Sequence, residues 1–305
     1  MKTRAKGRNV SGIVLLDKPL HITSNAALQR VKRLFQASKA GHTGSLDPLA
    51  SGLLPICLGE ATKVSGFLLD TDKRYRAVCQ LGVTTTTGDR EGQILQTRPL
   101  ADIDRPRLDQ VLAGFIGAIE QVPPMFSALK QHGQPLYKLA QRGLTVERAP
   151  RSVHIHGIDL VTWQADQFEI EVSCSKGTYI RTLAEDIGER LGCGAHLSAL
   201  RRTGVGGLDA SRMVNFEQLQ ALAEQGLGVL DEQVLIPMQA ALAHWPEVNV
   251  SDDAAFYLSQ GQAVFVPRTP GAGWVTLFAD NQRFLGLGQV LQDGRVAPKR
   301  LVASS

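Results

Sequence analysis

Residues 41–55 read GHTGSLDPLASGLLP, with three glycines, two prolines and one carboxylate, Asp47. That density of conformation-setting residues specifies a demanding loop. Pro48 biases Asp47 away from helical backbone. An Asp before Pro is commonly a turn former and nothing more. Here Leu46 and Leu49 flank it and Leu53-Leu54 follow, so the carboxylate lies among apolar neighbours. An Asp in such a setting is a candidate base or nucleophile. It also needs a counter-charge, or it takes up a proton.

Working outward, Gly12 to Leu16 is a short apolar strand. Thr23-Ser24 opens a helix on which Ala27, Leu28, Val31, Leu34 and Phe35 recur at helical spacing. Arg76 to Leu81 reads as a strand, residues 84–93 (TTTTGDREGQ) as an exposed loop, and Leu108, Val111, Leu112 and Phe115 as one helix face. Residues 167–174 (QFEIEVSC) alternate strictly, with Phe168, Ile170, Val172 and Cys174 on one side of a half-buried strand. The helix after it carries Ile180, Leu183, Ala184, Ile187 and Leu191 on one face and stops at Gly192. A further helix runs from about Phe216 to Gln225, with Asn215 as its N-cap. A boundary falls near Pro237 to Pro246. Beyond it Ser251 caps a short helix, and short strands follow over 263–266, 274–278 and 284–290.

The 305 residues are 43% hydrophobic and 20% charged, which suits about two globular domains and excludes global disorder. No apolar run approaches the ~18 residues of a membrane span. The apolar run after the basic N-terminus ends at Asp17-Lys18, too short for a secretory signal, so the expected location is cytoplasmic. Charge is uneven. Residues 1–98 hold 15 Lys/Arg against 7 Asp/Glu, a net of +8, and the remainder has a net of −4. A basic N-terminal third suits a polyanionic partner, chiefly nucleic acid, and on charge alone a solvated basic face fits equally well. The four cysteines form no CxxC pair and read as buried thiols. The sequence has no GxxxxGK[ST], GxGxxG, GxSxG or HExxH. His154 and His156 share a strand face, and Cys193 and His196 stand three apart, but neither pair brings a third metal ligand. The expected chemistry runs on side chains, with no metal and no cofactor.

The loop belongs to a series of motifs. DKPLHITS (17–24), the 41–55 segment, DKRYRAVCQLG (72–82), TTTTGDREG (84–92), PPMFSALKQHGQPLYKLA (123–140), CSKGTYIRTLAEDIG (174–188) and LRRTGVG (200–206) stand in this order. Together they closely resemble the TruB family of tRNA pseudouridine-55 synthases over about residues 10–240. The segment ending GRVAPKRLV (294–302) resembles the PUA-like tail of bacterial members.

The resemblance implies an α+β fold, a mixed and largely antiparallel sheet flanked by helices with a cleft across it. Composition marks a basic tail (1–9), and the resemblance implies a catalytic domain (10–240) with a mobile thumb at about 124–148 and a β-rich RNA-binding domain (246–305). It implies that the chain, acting as a monomer, detaches a T-loop uracil of tRNA at N1, rotates it and reattaches it through C5. Asp47 matches the essential aspartate; attack on the sugar, attack on the base and proton abstraction all remain open for it. Arg181 matches its ion-pair partner, which is expected to depress the Asp47 pKa. Tyr75 matches the tyrosine that stacks on the base, and its neighbours Lys73, Arg74 and Arg76 suit a nucleotide site. Tyr179 and Leu200 match the lining of the uracil pocket. His42 matches the histidine that fills the space left by the flipped nucleotides. Lys18 matches a support of the catalytic loop and a candidate phosphate contact. Asp89 and Lys130 match positions of structural or RNA-contacting roles. One departure stands out: His21 occupies the usual glycine of DKPxGxTS, where a positive φ would strain it. A non-catalytic RNA chaperone is one competing reading, and intact Asp47, Tyr75 and Arg181 argue against it while leaving room for a chaperone role beside catalysis. A guide-RNA-dependent relative is the other, and the chain's length and tail resemble the stand-alone bacterial type instead.

Overall fold

The computed structural model describes residues 7–100, 103–280 and 282–303. Its larger sheet has nine strands. The main path runs Gly12–Lys18, Ala50–Leu58, Ala195–Val205, Lys73–Leu81, Gln167–Cys174, Arg151–Trp163 and Gly117–Gln121. Every pairing is antiparallel except that of Ala195–Val205 with Ala50–Leu58. The expected α+β, largely antiparallel architecture is therefore present.

Ala50–Leu58 explains how a segment with Gly and Pro serves as a central strand. Residues 50–52 pair with Leu200 to Arg202, and residues 56–58 pair with Ala40 to His42. Pro55 falls in the gap between these partners, where a missing N–H leaves no broken ladder bond. Gly52 has a φ of 96°, and a Cβ there would overlap the backbone of Arg202. Only glycine lets the two strands come this close.

Helices cover the sheet. Ser24–Leu34 starts at Thr23, whose hydroxyl accepts from Ala26 N at 3.1 Å. Ile180–Leu191 buries most of its length and ends on Gly192 in the left-handed region, φ 90°. Phe35, Leu54, Ile56, Phe168, Ile187 and Leu197 are among the fully buried residues between them. Each such side chain contributes about 1.5–3 kcal/mol over its exposed form. Asn215 and Gln218 form a reciprocal capping box at the start of Phe216–Gln225.

Three sequence expectations need correction. Residues 84–93 are not simply exposed: Val83–Thr85 pairs with Ile94–Thr97, and Thr85 and Asp89 are buried. The strand expected at Arg76 begins at Lys73. Of the basic tail, residues 1–6 lie outside the described residues, while Arg8 is docked by a bidentate pair with Asp231 at 2.7 and 2.8 Å. Residues 227–234 form a helix that the sequence reading lacked.

The C-terminal residues build a second sheet in the order Glu247–Val250, Gly273–Ala279, Phe284–Val290, Arg295–Leu301 and Val264–Phe265. Ser251 caps the helix Asp252–Ser259. This sheet has its own core around Val250, Leu258, Val275 and Leu277. It is also fastened to the larger body. The Phe67 ring lies 4.9 Å from both Trp245 and Trp274, and Lys63 donates to Leu301 O at 2.8 Å. Among the described residues no helix is long and apolar enough to cross a membrane.

Candidate active site

The Asp47 loop is held from two sides. The Ser24 hydroxyl accepts from Leu46 N at 2.7 Å and donates to Leu46 O at 3.0 Å. His21 N donates to Pro48 O at 2.7 Å. His21 itself has a φ of 65°, so the usual glycine position is indeed left-handed and the histidine carries that conformation. Beneath it Lys18 is fully buried, its Nζ donating to Pro19 O and Ile22 O at 2.9 Å each. Lys18 thus stiffens the turn from below. The phosphate contact considered for it is not supported, because its amine faces carbonyls.

Asp47 meets Arg181 across a cleft of about 670 Å³. Arg181 Nη2 lies 3.0 Å from Asp47 Oδ2. The guanidinium is only 4% exposed, and two carbonyls fix its plane, Phe126 O at 2.7 Å and Thr87 O at 3.0 Å. Asp89 stands behind it at 3.8 Å. Asp89 is positioned by Thr87 Oγ1 at 2.6 Å and Glu91 N at 3.0 Å. The residue given only a generic role is therefore the second carboxylate on the arginine.

Arg181 lowers the Asp47 pKa as expected, but the net shift is upward. Burial raises its pKa above the ordinary aspartate value; Arg181 opposes this, and the charge of Asp89 adds to it. Desolvation of the carboxylate, although its side chain keeps 43% exposure, outweighs the ion pair. Lys18 is lowered by burial to about 8, against a partial pull from Asp47.

The opposite side of the cleft is aromatic and apolar. Tyr75, Tyr179, Leu200 and His42 all line it. Burial raises both phenol pKa values, so the rings are neutral at ordinary pH. Tyr179 N donates to Gln121 Oε1 at 3.0 Å, and Gln121 Nε2 returns a bond to Tyr179 O at 3.2 Å. The cationic surroundings read for Tyr75 are only partly right. Alternation along the strand puts Lys73 on the Tyr75 face but Arg74 and Arg76 on the other, where Arg76 pairs with Glu169 at 2.6 Å.

Lys130 is exposed on a small hairpin with Gln134–Pro135 and does not line the cleft. Ser127, Ala128 and Leu129 from the same segment do. The sequence reading missed Arg202, a buried residue of the cleft wall. A signal for it existed: Arg202 is two residues beyond Leu200 on one strand, hence on the same face. His154 and His156 stand 4.9 Å apart, with His156 Nε2 3.1 Å from Asp72. Among the described residues no three His, Cys, Asp or Glu are grouped to hold a metal ion.

Sheet, flanking helices and central cleft together define the pseudouridine synthase fold. Two solved structures share it over 96% of this chain with a TM-score of 0.74. One is an H/ACA RNP bound to a substrate RNA containing 2′-deoxyuridine, 25% identical and covered over 85% of its chain. The other is a Cbf5-Nop10-Gar1 complex, 26% identical and covered over 84%. Within that fold the chain belongs to the TruB family. Residues 32–180 match the N-terminal domain of the TruB family pseudouridylate synthases, and 181–243 the tRNA pseudouridylate synthase B C-terminal domain. Residues 246–302 match the C-terminal region of pseudouridine synthase II TruB. It is 56% identical to tRNA pseudouridine synthase B of Nitrosococcus oceani, over 99% of this chain and 97% of that protein. It is 54% identical to that of Stutzerimonas stutzeri, over 97% of each.

Proposed function

We propose that this chain isomerises the uridine at position 55 in the T-loop of tRNA to pseudouridine, as a cytoplasmic monomer. The observation that carries the reading is the Asp47–Arg181 pair at 3.0 Å inside a cleft lined by Tyr75 and Tyr179 and roomy enough for a whole nucleotide. The reaction breaks the C1′–N1 bond and forms C1′–C5. C5 gives up a proton and N1 gains one, so product and substrate are isomers.

Asp47 is the catalytic residue. Arg181 fixes its rotamer and keeps it ionised against the burial that favours the acid form. A T-loop uridine is stacked inside the tRNA elbow, and flipping it costs a few kcal/mol. Tyr75 receives the base by stacking, Leu200 and Tyr179 close the pocket, and His42 fills the vacated stack. Residues 10–240 form the catalytic body. Residues 124–148 close over the RNA, with Lys130 among their phosphate contacts, and residues 246–305 form an RNA-binding module.

The test follows tritium at C5 of uridine in an unmodified tRNA transcript. The native protein should release it, while Asp47→Asn should bind the RNA and release none. Binding without release by both proteins would remove the enzymatic reading and leave an RNA chaperone.

A further inference from the structure

Arg202 is the largest fully buried side chain among the described residues, at 1% exposure. Its Nε donates to Leu53 O at 2.7 Å. Its Nη2 has no hydrogen-bond partner, and among the described residues the guanidinium makes no ion pair. A buried cation left in this state is costly unless something at the site compensates it. The neutral Tyr75 hydroxyl bonds to the guanidinium but brings no charge, and no carboxylate in the cleft is free to do so. Its two lining carboxylates are already engaged, Asp47 with Arg181 and Asp70 with Lys176 at 2.8 Å.

Arg202 is also not alone. Lys73, on the adjacent strand and 7% exposed, lines the same cleft with its Nζ on Leu69 O and Thr71 O. Burial and then the Arg202 charge lower the Lys73 pKa to about 8. The His42 pKa is lowered by burial and by Arg202 as well, and its Nδ1 lacks a partner. The cleft therefore has one wall where Asp47 faces Arg181, with Asp89 behind it, and one of unmatched positive charge at Arg202 and Lys73.

We propose that Arg202, with Lys73 beside it, seats a backbone phosphate flanking the extruded uridine. This rests on the uridine-flipping reading above and deepens it. Every nucleotide brings one such oxyanion, and a guanidinium fork suits two of its oxygens. With the phosphate in place, the repulsion between the two cations is relieved and Arg202 Nη2 gains the acceptor it lacks. Binding then rewards RNA whose backbone has turned inward, which couples flipping to charge neutralisation.

The experiment uses a T-arm stem-loop in which each phosphate flanking the target uridine is replaced, one at a time, by a neutral methylphosphonate. Binding is measured with the native protein, R202K and R202Q. One replacement should weaken native binding about tenfold, the scale of one charged hydrogen bond. R202Q should lose a similar factor and be indifferent to that replacement, with R202K intermediate. Losses that multiply in the combined case would overturn the proposal. So would native binding unaffected by either replacement, a result that needs no folded variant. A native protein that fails to bind the RNA sinks the substrate assignment itself. Tight native binding without tritium release sinks the reaction and still leaves the phosphate measurement readable.

Discussion

Arg181→Met removes the one cation that the described residues pair with both Asp47 and Asp89, and keeps an unbranched apolar stem in its place. Removing one partner of a buried ion pair costs about 3–5 kcal/mol. The geometry sets this case near the lower end. The Asp47 side chain is 43% exposed and can be hydrated, and Asp89 keeps its bonds from Thr87 and Glu91. A loss of about 3 kcal/mol corresponds to a fall of roughly 6–12 °C in melting temperature. A second effect has a definite sign. Arg181 opposes the burial that raises the Asp47 pKa, so its loss raises that pKa further. The acid limb of the rate profile, where Asp47 takes up a proton, should therefore move to higher pH. Urea unfolding together with single-turnover tritium release across pH measures both. Stability within about 1 kcal/mol of native, with an unmoved acid limb in any residual activity, would refute the assigned role of the pair.

Asp89→Asn should shift the same limb the opposite way, because the Asp89 charge raises the Asp47 pKa; a limb that stays or rises contradicts the assignment. Lys18 has a folded pKa of about 8, below its unfolded value, so the unfolded chain holds the extra proton between these values and this residue's contribution to stability grows as pH rises. Lys18→Met should erase that contribution, read as the difference between native and variant unfolding curves over pH 7–10; parallel curves count against it. Gly52→Ala should cost more than about 3 kcal/mol or prevent folding, since the clash is with backbone; a near-native melting curve would show the strands can part. His21→Gly should stabilise the fold by about 0.5–1 kcal/mol by relieving the left-handed backbone, measured by urea unfolding, and a loss of stability would mean the imidazole contributes more than the strain costs.

The helices at Ser24 and Ile180 were readable because a cap or stop residue coincides with strong apolar periodicity. The strand Gln167–Cys174 was readable because one face is buried and the other is not. Ala50–Leu58 was not, since a strand buried on both faces and interrupted by Gly52 and Pro55 shows no alternation. The TGDREG loop misled for another reason. Its polar residues look solvated, yet Asp89 is buried because Arg181 reaches it from a helix more than ninety positions away. Asp47 was legible through its apolar neighbours, but the direction of its pKa was not. That depends on how desolvation and Arg181 balance, and the balance needs coordinates. Arg202 was hidden among two adjacent arginines whose opposite faces only the sheet register resolves; Arg201 turns away to pair with Asp17 at 2.8 Å.

The Phe67, Trp245 and Trp274 cluster has a consequence of scale. It joins the C-terminal sheet to the short helix Ser65–Leu69, whose last residue lines the Asp47 cleft. The two parts therefore meet beside the cleft as the jaws of a caliper meet at its screw. On the function proposed above, an RNA that touches both would have its uridine spaced from its second point of contact by this junction. Length along the RNA would then be gauged by this junction, without any base being read.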